Sequence, residues 1–281
     1  MHEGTLPPHL AKAVRDRAAP GRKDQDFYAD AAVYDILHAP GTAAELDGVE
    51  ELACRTCPTP LPRQVWLEPA CGSGRLTRLA SLRGRTAIGF DLAPGMVAYA
   101  AERARKAGLR ARFFEADMTA FAEPLGRRVD VAFNIINTIR HLDSDEAMLA
   151  HLSQMAQALR PKGVYIVGIS LSAYGMEVPS EDVWTGKRGR CRVTQVITFL
   201  PPSTPSEKRS RRERAISHLA VERPRGVEHI DSTYILRTYN LAQWHDVIAR
   251  AGWHIAATGD DAGFPYEPTE PGYALFALKP G

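Results

Sequence analysis

Val65-Trp66-Leu67-Glu68-Pro69-Ala70-Cys71-Gly72-Ser73-Gly74-Arg75 is the stretch on which the fold turns. A short apolar run closes on an acidic residue, passes within a few positions into a Gly-x-Gly turn, and continues into Leu76-Thr77-Arg78-Leu79-Ala80, which reads as the start of a helix. Gly72 and Gly74 lack Cβ atoms, so the backbone there can bend sharply and come close to a ligand. The stretch predicts a strand, a nucleotide-binding turn and a helix.

Two ligand classes use such a turn. A dinucleotide site wants a small residue at the last position of G-x-G-x-x-G/A, so that helix and strand pack closely and the helix N-terminus faces a pyrophosphate. Thr77 stands at that position. S-adenosylmethionine has no phosphate but carries an ammonium group and a ribose, which a carboxylate at a strand end can help to hold, and Glu68 suits that need.

The following runs repeat the pattern. Thr86 to Phe90 ends in Asp91, where doubly wound folds bind ribose hydroxyls; Ala111 to Ala116 ends in Asp117-Met118; Val129 to Phe133 ends in Asn134. In an open parallel sheet the ligand crevice lies outside the carboxyl ends of the strands, so these four ends are expected to converge on one ligand.

On these residues the chain resembles the class I S-adenosylmethionine-dependent methyltransferases. The resemblance is carried by Glu68-x-x-x-Gly72-x-Gly74, Asp91-Leu92-Ala93-Pro94-Gly95-Met96, Asp117-Met118 and Leu159-Arg160-Pro161-Lys162-Gly163, and runs from about Tyr28 to the C-terminus. It implies that the first motif lines the methionine part of the cofactor, that the carboxylate after the second strand takes both ribose hydroxyls, and that the pair after the third borders adenine. Those roles fall on Glu68, Ala70, Gly72, Gly74, Asp91, Leu92, Met96, Asp117 and Met118, with Asn134 beside them at the fourth strand end. Glu68 stands where Asp is commoner, Pro69 follows it, and Ser73 replaces a frequent Thr.

A narrower likeness lies at the edges. Phe27 to His38 resembles the Tyr-x-x-x-x-x-Tyr-Asp entry helix of small-molecule methyltransferases, including the N,N-dimethyltransferases of nucleotide-linked amino sugars, in which the N-terminal segment folds over the cofactor. Tyr28 and Tyr34 are therefore expected lid residues; the plainer alternative is that both pack a helix. Asn137-Thr138-Ile139-Arg140-His141-Leu142 resembles the Ser-x-Ile-x-His-Leu segment after strand four, which implies that His141 faces the acceptor.

The pattern predicts a doubly wound, Rossmann-like seven-stranded α/β methyltransferase sheet, with strands near 65–69, 86–91, 111–116, 129–134 and 163–170 and helices near 75–83, 94–107 and 143–159. Asp143 or Ser144 can cap the third helix, Pro94 suits the first turn of the second, and Gly108 its end. After Ser170 the rhythm changes: residues 190–199, 215–222 and 230–239 are extended with no helices between them, an antiparallel β insertion over 171–240 expected to roof the acceptor side. The polar turn from Pro201 to Arg214 reads as mobile. A last helix from Leu241 to Ala251 stops at Gly252 and leads to strands at 253–257 and 273–278. Residues 1–25 read as a flexible segment ahead of one domain, 26–281.

The 281 residues suffice for one core. A hydrophobic fraction of 44%, a charged fraction of 24% and a net charge of +2 suit a globular protein and offer no long apolar span, and the N-terminus lacks a secretory pattern, so a cytoplasmic location is expected. Cys54-x-x-Cys57 has the spacing of half a zinc site, but the other half is missing and no metal is expected. Cys71 serves as a small residue in the turn.

In S-adenosylmethionine the methyl group is already activated by the sulfonium, so the enzyme chiefly positions a lone pair behind it. A His near neutral pKa is the natural group to take the acceptor's proton, which makes His141 the candidate catalytic residue; capping or packing of the next helix is its alternative role. His218, His229 and Tyr239 are further candidates for the acceptor pocket. The expected reaction is transfer to an N or O atom of a small molecule. Nucleic acid is disfavoured: no Asp/Asn-Pro-Pro-aromatic segment follows strand four, and the arginines at 209, 211, 212 and 214 sit in a turn of a nearly neutral chain. A catalytically silent S-adenosylmethionine-binding protein and an NAD-dependent oxidoreductase are the other readings, the last weakened by Thr77. The sequence allows a homodimer.

Overall fold

The computed structural model of the chain describes residues 23–24 and 30–281. The expected loose N-terminal segment, apart from Lys23–Asp24, and Tyr28 lie outside the described residues. The chain opens with β1 (Lys23–Asp24), α1 (Ala31–Leu37) and α2 (Thr42–Thr56). An alternating stretch follows: β2 (Val65–Pro69), α3 (Arg75–Leu82), β3 (Thr86–Asp91), α4 (Pro94–Lys106), β4 (Arg112–Glu115), α5 (Ala122–Leu125), β5 (Val129–Asn134), α6 (Asp145–Ala158) and β6 (Leu159–Leu171). Then come β7 (Ser180–Arg188), β8 (Cys191–Leu200), α7 (Pro205–Ser210), β9 (Arg212–Arg223) and β10 (Gly226–Arg237), and finally α8 (Leu241–Arg250), β11 (Trp253–Gly259) and β12 (Gly272–Pro280).

Seven strands form one sheet in the order β11-β12-β6-β5-β2-β3-β4. The five strands from β4 to β6 run parallel, while β12 is antiparallel to both β6 and β11. The central strands β2 and β5 are buried along their whole length, as strands covered on both faces must be. One face packs Leu46, Val49 and Leu52 of α2 and Leu76 and Ala80 of α3 on Trp66, Val131, Phe133 and Ile166. The other packs Met148, Leu152 and Met155 of α6 and Trp244, Val247 and Ile248 of α8 on Leu67, Phe90, Val167 and Phe276.

Local chemistry sets the helix ends. The Ser144 side chain accepts from the Ala147 amide and caps α6, Pro94 opens α4 where its missing N–H costs nothing, and Gly108 (φ 65°) and Gly252 (φ 74°) follow α4 and α8 in the left-handed conformation that terminates helices. Asn240 and Gln243 form a reciprocal capping box on α8.

The insertion is a second sheet, ordered β1-β10-β9-β8-β7 and antiparallel from β7 to β10. Its inner face packs Val193, Leu219, Val221 and Ile230 on Val33, Ile36 and Leu37 of α1. Contact is close at Gly186, where a Cβ would lie 1.8 Å from the Ile36 carbonyl oxygen. Two of the larger elements were not expected from the sequence. Strand β7 is mostly exposed, so its polar residues show no apolar run. Helix α2 carries Gly48 in its middle, a poor helix former that is needed here because a Cβ would lie 2.1 Å from the Asp261 carbonyl. The turn read as mobile between β8 and β9 contains the short helix α7.

Candidate active site

The turn after β2 is wound through left-handed backbone at Ala70 (φ 49°), Gly72 (φ 52°) and Gly74 (φ 70°). It is tied to the neighbouring strand: the Cys71 amide donates to the Phe90 carbonyl (2.8 Å) and the Gly72 amide to Asp91 Oδ2 (2.7 Å). The Ala93 amide donates to the other Asp91 oxygen at 2.9 Å. Asp91 thus fixes two loops against each other, and burial raises its pKa against the pull of those amides.

Glu68 is buried, and its Oε2 accepts from the Thr77 amide (2.9 Å) and from the Thr77 hydroxyl. The residue that breaks the dinucleotide fingerprint therefore holds the carboxylate at the end of β2. Burial pushes the Glu68 carboxyl up to about 7, against the two Thr77 hydrogen bonds and the Arg75 charge. Beside it, Asn134 Nδ2 donates to the Pro69 carbonyl (2.9 Å), while Asn134 Oδ1 is buried and finds no hydrogen-bond partner among the described residues.

A cavity of about 330 Å³ opens between these strand ends and the inner face of the insertion sheet, and it brings together Tyr34, Glu68, Ala70, Asn134 and His141. The Tyr34 ring lies against the glycine turn, within 3.1 Å of where a Gly72 Cβ would stand. Burial pushes its hydroxyl up to about 12. The His141 ring lies 5.6 Å from that of Tyr234 on β10, and burial, with the Arg140 charge beside it, holds its pKa below the ordinary histidine value. Arg140 lies beside His141 in the cavity wall; its NH2 group donates to Glu213 at 2.6 Å and its Nε to the Arg237 carbonyl at 2.8 Å. The ion pair between β9 and the segment after β5 is largely desolvated, with side chains only 5% and 13% exposed.

A second network lies behind Tyr34. The buried Asp35 carboxylate accepts from Ser73 Oγ (2.8 Å), Arg78 (2.6 Å), Tyr99 Oη (2.9 Å) and Arg188 (2.6 Å). One side chain thereby gathers donors from the turn, α3, α4 and the β7 strand end. Its pKa is lowered: the Arg78 charge and the hydrogen bonds outweigh its burial.

The remaining expected residues are placed as follows. Leu92 is 64% exposed, and Met96 is fully buried in the first turn of α4. Asp117 is turned into its own loop, its Oδ1 accepting from both the amide and the hydroxyl of Thr119 at 2.6 Å. The Met118 carbonyl meets Nδ1 of the buried His151 at 2.9 Å. None of these four lines the cavity. His218 and His229 stack at 5.2 Å, with His218 Nδ1 2.6 Å from Asp231 Oδ1, and strand alternation puts all three on the face of the insertion sheet opposite Tyr234 and Glu213. Tyr239 is core, packed on Trp244. These three expectations are therefore corrected: the cavity takes Gln195, Ile197 and Phe199 from β8, Glu213 from β9 and Tyr234 and Leu236 from β10. Ser180, Asp182 and Trp184 enter it from β7, and no sequence signal marked them because that strand has no apolar pattern. The Arg140–Glu213 pair joins residues 73 positions apart, a partnership no local pattern displays.

Residues 67–163 match the family model described as a methyltransferase domain. The chain is 24% identical over 230 residues to the dTDP-3-amino-3,4,6-trideoxy-alpha-D-glucopyranose N,N-dimethyltransferase of Streptomyces venezuelae, spanning 80% of this chain and 90% of that one. Among solved structures it is similar to an S-adenosylmethionine-dependent methyltransferase from Clostridium acetobutylicum (TM-score 0.70, 16% identity, 89% of this chain and 97% of that one). It is similar also to DesVI of Streptomyces venezuelae (TM-score 0.68, 21% identity, 92% of this chain and 100% of that one). At these identities the solved structures share the fold.

Proposed function

We propose that this chain, whose residues 67–163 match the methyltransferase-domain family model, transfers the methyl group of S-adenosylmethionine to the amino nitrogen of a small molecule of the amino-sugar class. The observation that carries the reading is the shared cavity of Glu68, Asn134 and His141 between the strand ends and the insertion sheet. The residues suit the cofactor. Asn134 Oδ1, a buried acceptor without a described partner, and the Glu68 carboxylate beside it match an ammonium group. Tyr34 packs closely on the glycine turn, and the Asp91 carboxylate, which already accepts the Gly72 and Ala93 amides, is assigned to the ribose hydroxyls. Leu92, Met96, Asp117 and Met118, outside that cavity, are assigned to the adenosine side by their place at the strand ends, and the insertion sheet to the acceptor-side roof.

When bound, the cofactor supplies a methyl carbon activated by its sulfonium. The chain's own task is to present a lone pair in line with it. His141, neutral at pH 7 because its pKa is lowered, accepts the proton that the acceptor's ammonium must lose. To the nitrogen so deprotonated, bound S-adenosylmethionine would supply its methyl group, the C–S electron pair staying with the S-adenosylhomocysteine released. Arg140, held by Glu213, keeps a positive charge beside His141 that opposes its protonation before the acceptor arrives.

The reading is tested by incubating the protein with labelled S-adenosylmethionine and 3-amino-3-deoxyglucosides and following N-methylated product by mass spectrometry. Addition of one or two methyl groups to nitrogen is expected. Tight cofactor binding with no transfer to any amine would refute the proposal.

A further inference from the structure

Beside the reaction cavity lies a larger one, of about 570 Å³, walled chiefly by Leu37, Pro40, Ile135, Ile136, Trp184 and Leu275. The two share His38, Ile135, Ile136, Asn137 and Trp184, so they are contiguous. Their common wall includes His38, which meets Trp184 edge-on at 4.9 Å and 86°, with Tyr34 of the reaction cavity 4.3 Å from His38 on its other side.

The junction is held in an unusual backbone. Ile136 (φ 55°) and Asn137 (φ 63°) are consecutive left-handed residues, and for a β-branched residue that conformation is a true outlier. Surrounding contacts maintain it. The Ile136 amide donates to Tyr273 Oη (3.1 Å), and the Asn137 amide to the Gly168 carbonyl (3.1 Å). The Asn137 side chain accepts from the Ser170 amide (2.7 Å) and donates to its hydroxyl (2.9 Å). Strain of this kind persists where the surroundings over-determine it, and such positions cluster at ligand-binding sites.

The charges select the occupant. The described wall of the larger cavity carries the carboxylates Glu45 and Asp261 and neither lysine nor arginine. Arg75, across the junction, is paired with Glu45 and donates to Thr42. Burial pulls His38 down to about 3, so it is uncharged at neutral pH. A phosphate would meet carboxylates there; an apolar group would meet Leu37, Pro40, Ile136 and Trp184.

We propose that the larger cavity is an acceptor subsite for the apolar, unphosphorylated body of the substrate, such as the aryl or alkyl aglycone of an amino sugar whose amine reaches His141 past Ile136. The assignment rests on the proposed transfer to an amine and sets the acceptor apart from the nucleotide-linked sugar in the name of the Streptomyces venezuelae relative.

The test compares methyl and phenyl 3-amino-3-deoxyglucosides by calorimetric titration into protein loaded with S-adenosylhomocysteine, which reads the subsite without turnover. The phenyl glycoside should bind at least about tenfold more tightly, from burial of its ring. Trp184→Ala should bring that ratio towards unity, and Pro40→Glu, at an exposed loop position, should do the same; affinity for S-adenosylhomocysteine reports that each variant is folded. Equal affinities, no binding of the phenyl glycoside, or a preference that survives both substitutions overturns the subsite. So does displacement of the phenyl glycoside by thymidine diphosphate at comparable affinity, which would make the cavity a nucleotide site. A separate assay of methyl transfer to the methyl glycoside reads the proposed reaction: tighter phenyl binding without transfer would sink the reaction and leave the subsite standing.

Discussion

Asp91 illustrates how one side chain can join two loops. Its carboxylate accepts the amides of Gly72 and Ala93 and so aligns the turn after β2 with the loop after β3. Asp91→Ala is expected to weaken S-adenosylhomocysteine binding by about 1.5–3 kcal/mol, the cost of losing charged hydrogen bonds; unchanged affinity in a titration would remove Asp91 from the site. His141 carries the second prediction at this scale. Burial and Arg140 lower its pKa, so the neutral base is present above the ordinary histidine value and is lost only as pH falls through the lowered one. The acid limb of kcat should accordingly lie below pH ~6.5, the unperturbed value, and should disappear in His141→Gln. A limb that survives the substitution would assign it to another group.

At the scale of elements, Asp35 is the joint between α1, the glycine turn, α3, α4 and the insertion sheet. It collects Ser73, Arg78, Tyr99 and Arg188, and removing it would leave two guanidinium groups without their carboxylate. Breaking a buried pair costs about 3–5 kcal/mol, but the Arg188 side chain is 38% exposed and partly screened. Asp35→Ala should therefore lower the unfolding free energy by about 3 kcal/mol in urea titration, with faster amide exchange in α1; a loss below ~0.5 kcal/mol, typical of an inconsequential surface change, would contradict the joint. The stabilisation also has a pH sign. Because the Asp35 pKa is lowered in the folded chain, its contribution is present above the ordinary aspartate value and is lost as pH falls through the lowered one.

At the scale of the whole molecule, the strand ends, the insertion sheet and α1 enclose the cavity, so a ligand bound there would be linked to stability. At S-adenosylhomocysteine one hundredfold above its Kd, the folded state should gain about 2.7 kcal/mol, seen as a melting midpoint raised by about 5 °C or more; no shift at saturation would place the ligand on an unstructured part of the chain. Much of this architecture is legible in the sequence. Runs such as Val65-Trp66-Leu67 and Val129 to Phe133 are continuous because the parallel strands are buried on both faces, and Pro94, Gly108, Ser144 and Gly252 mark helix ends through local backbone chemistry. The carboxylates at positions 68 and 91 stand at strand ends, where parallel topology gathers them. The sequence by itself therefore determined the alternation of the main strands and helices from β2 to β6, the glycine turn and the candidate cofactor residues, since each depends on periodicity or on a neighbour a few positions away. Only the tertiary structure decided that Thr77 holds Glu68, that Glu213 fixes Arg140 beside His141, that polar β7 carries Trp184 into the cavity, and that His218 and His229 face away from it. Those outcomes depend on which distant segments meet and which face of a strand turns inward, and both are settled by packing between elements far apart in the chain.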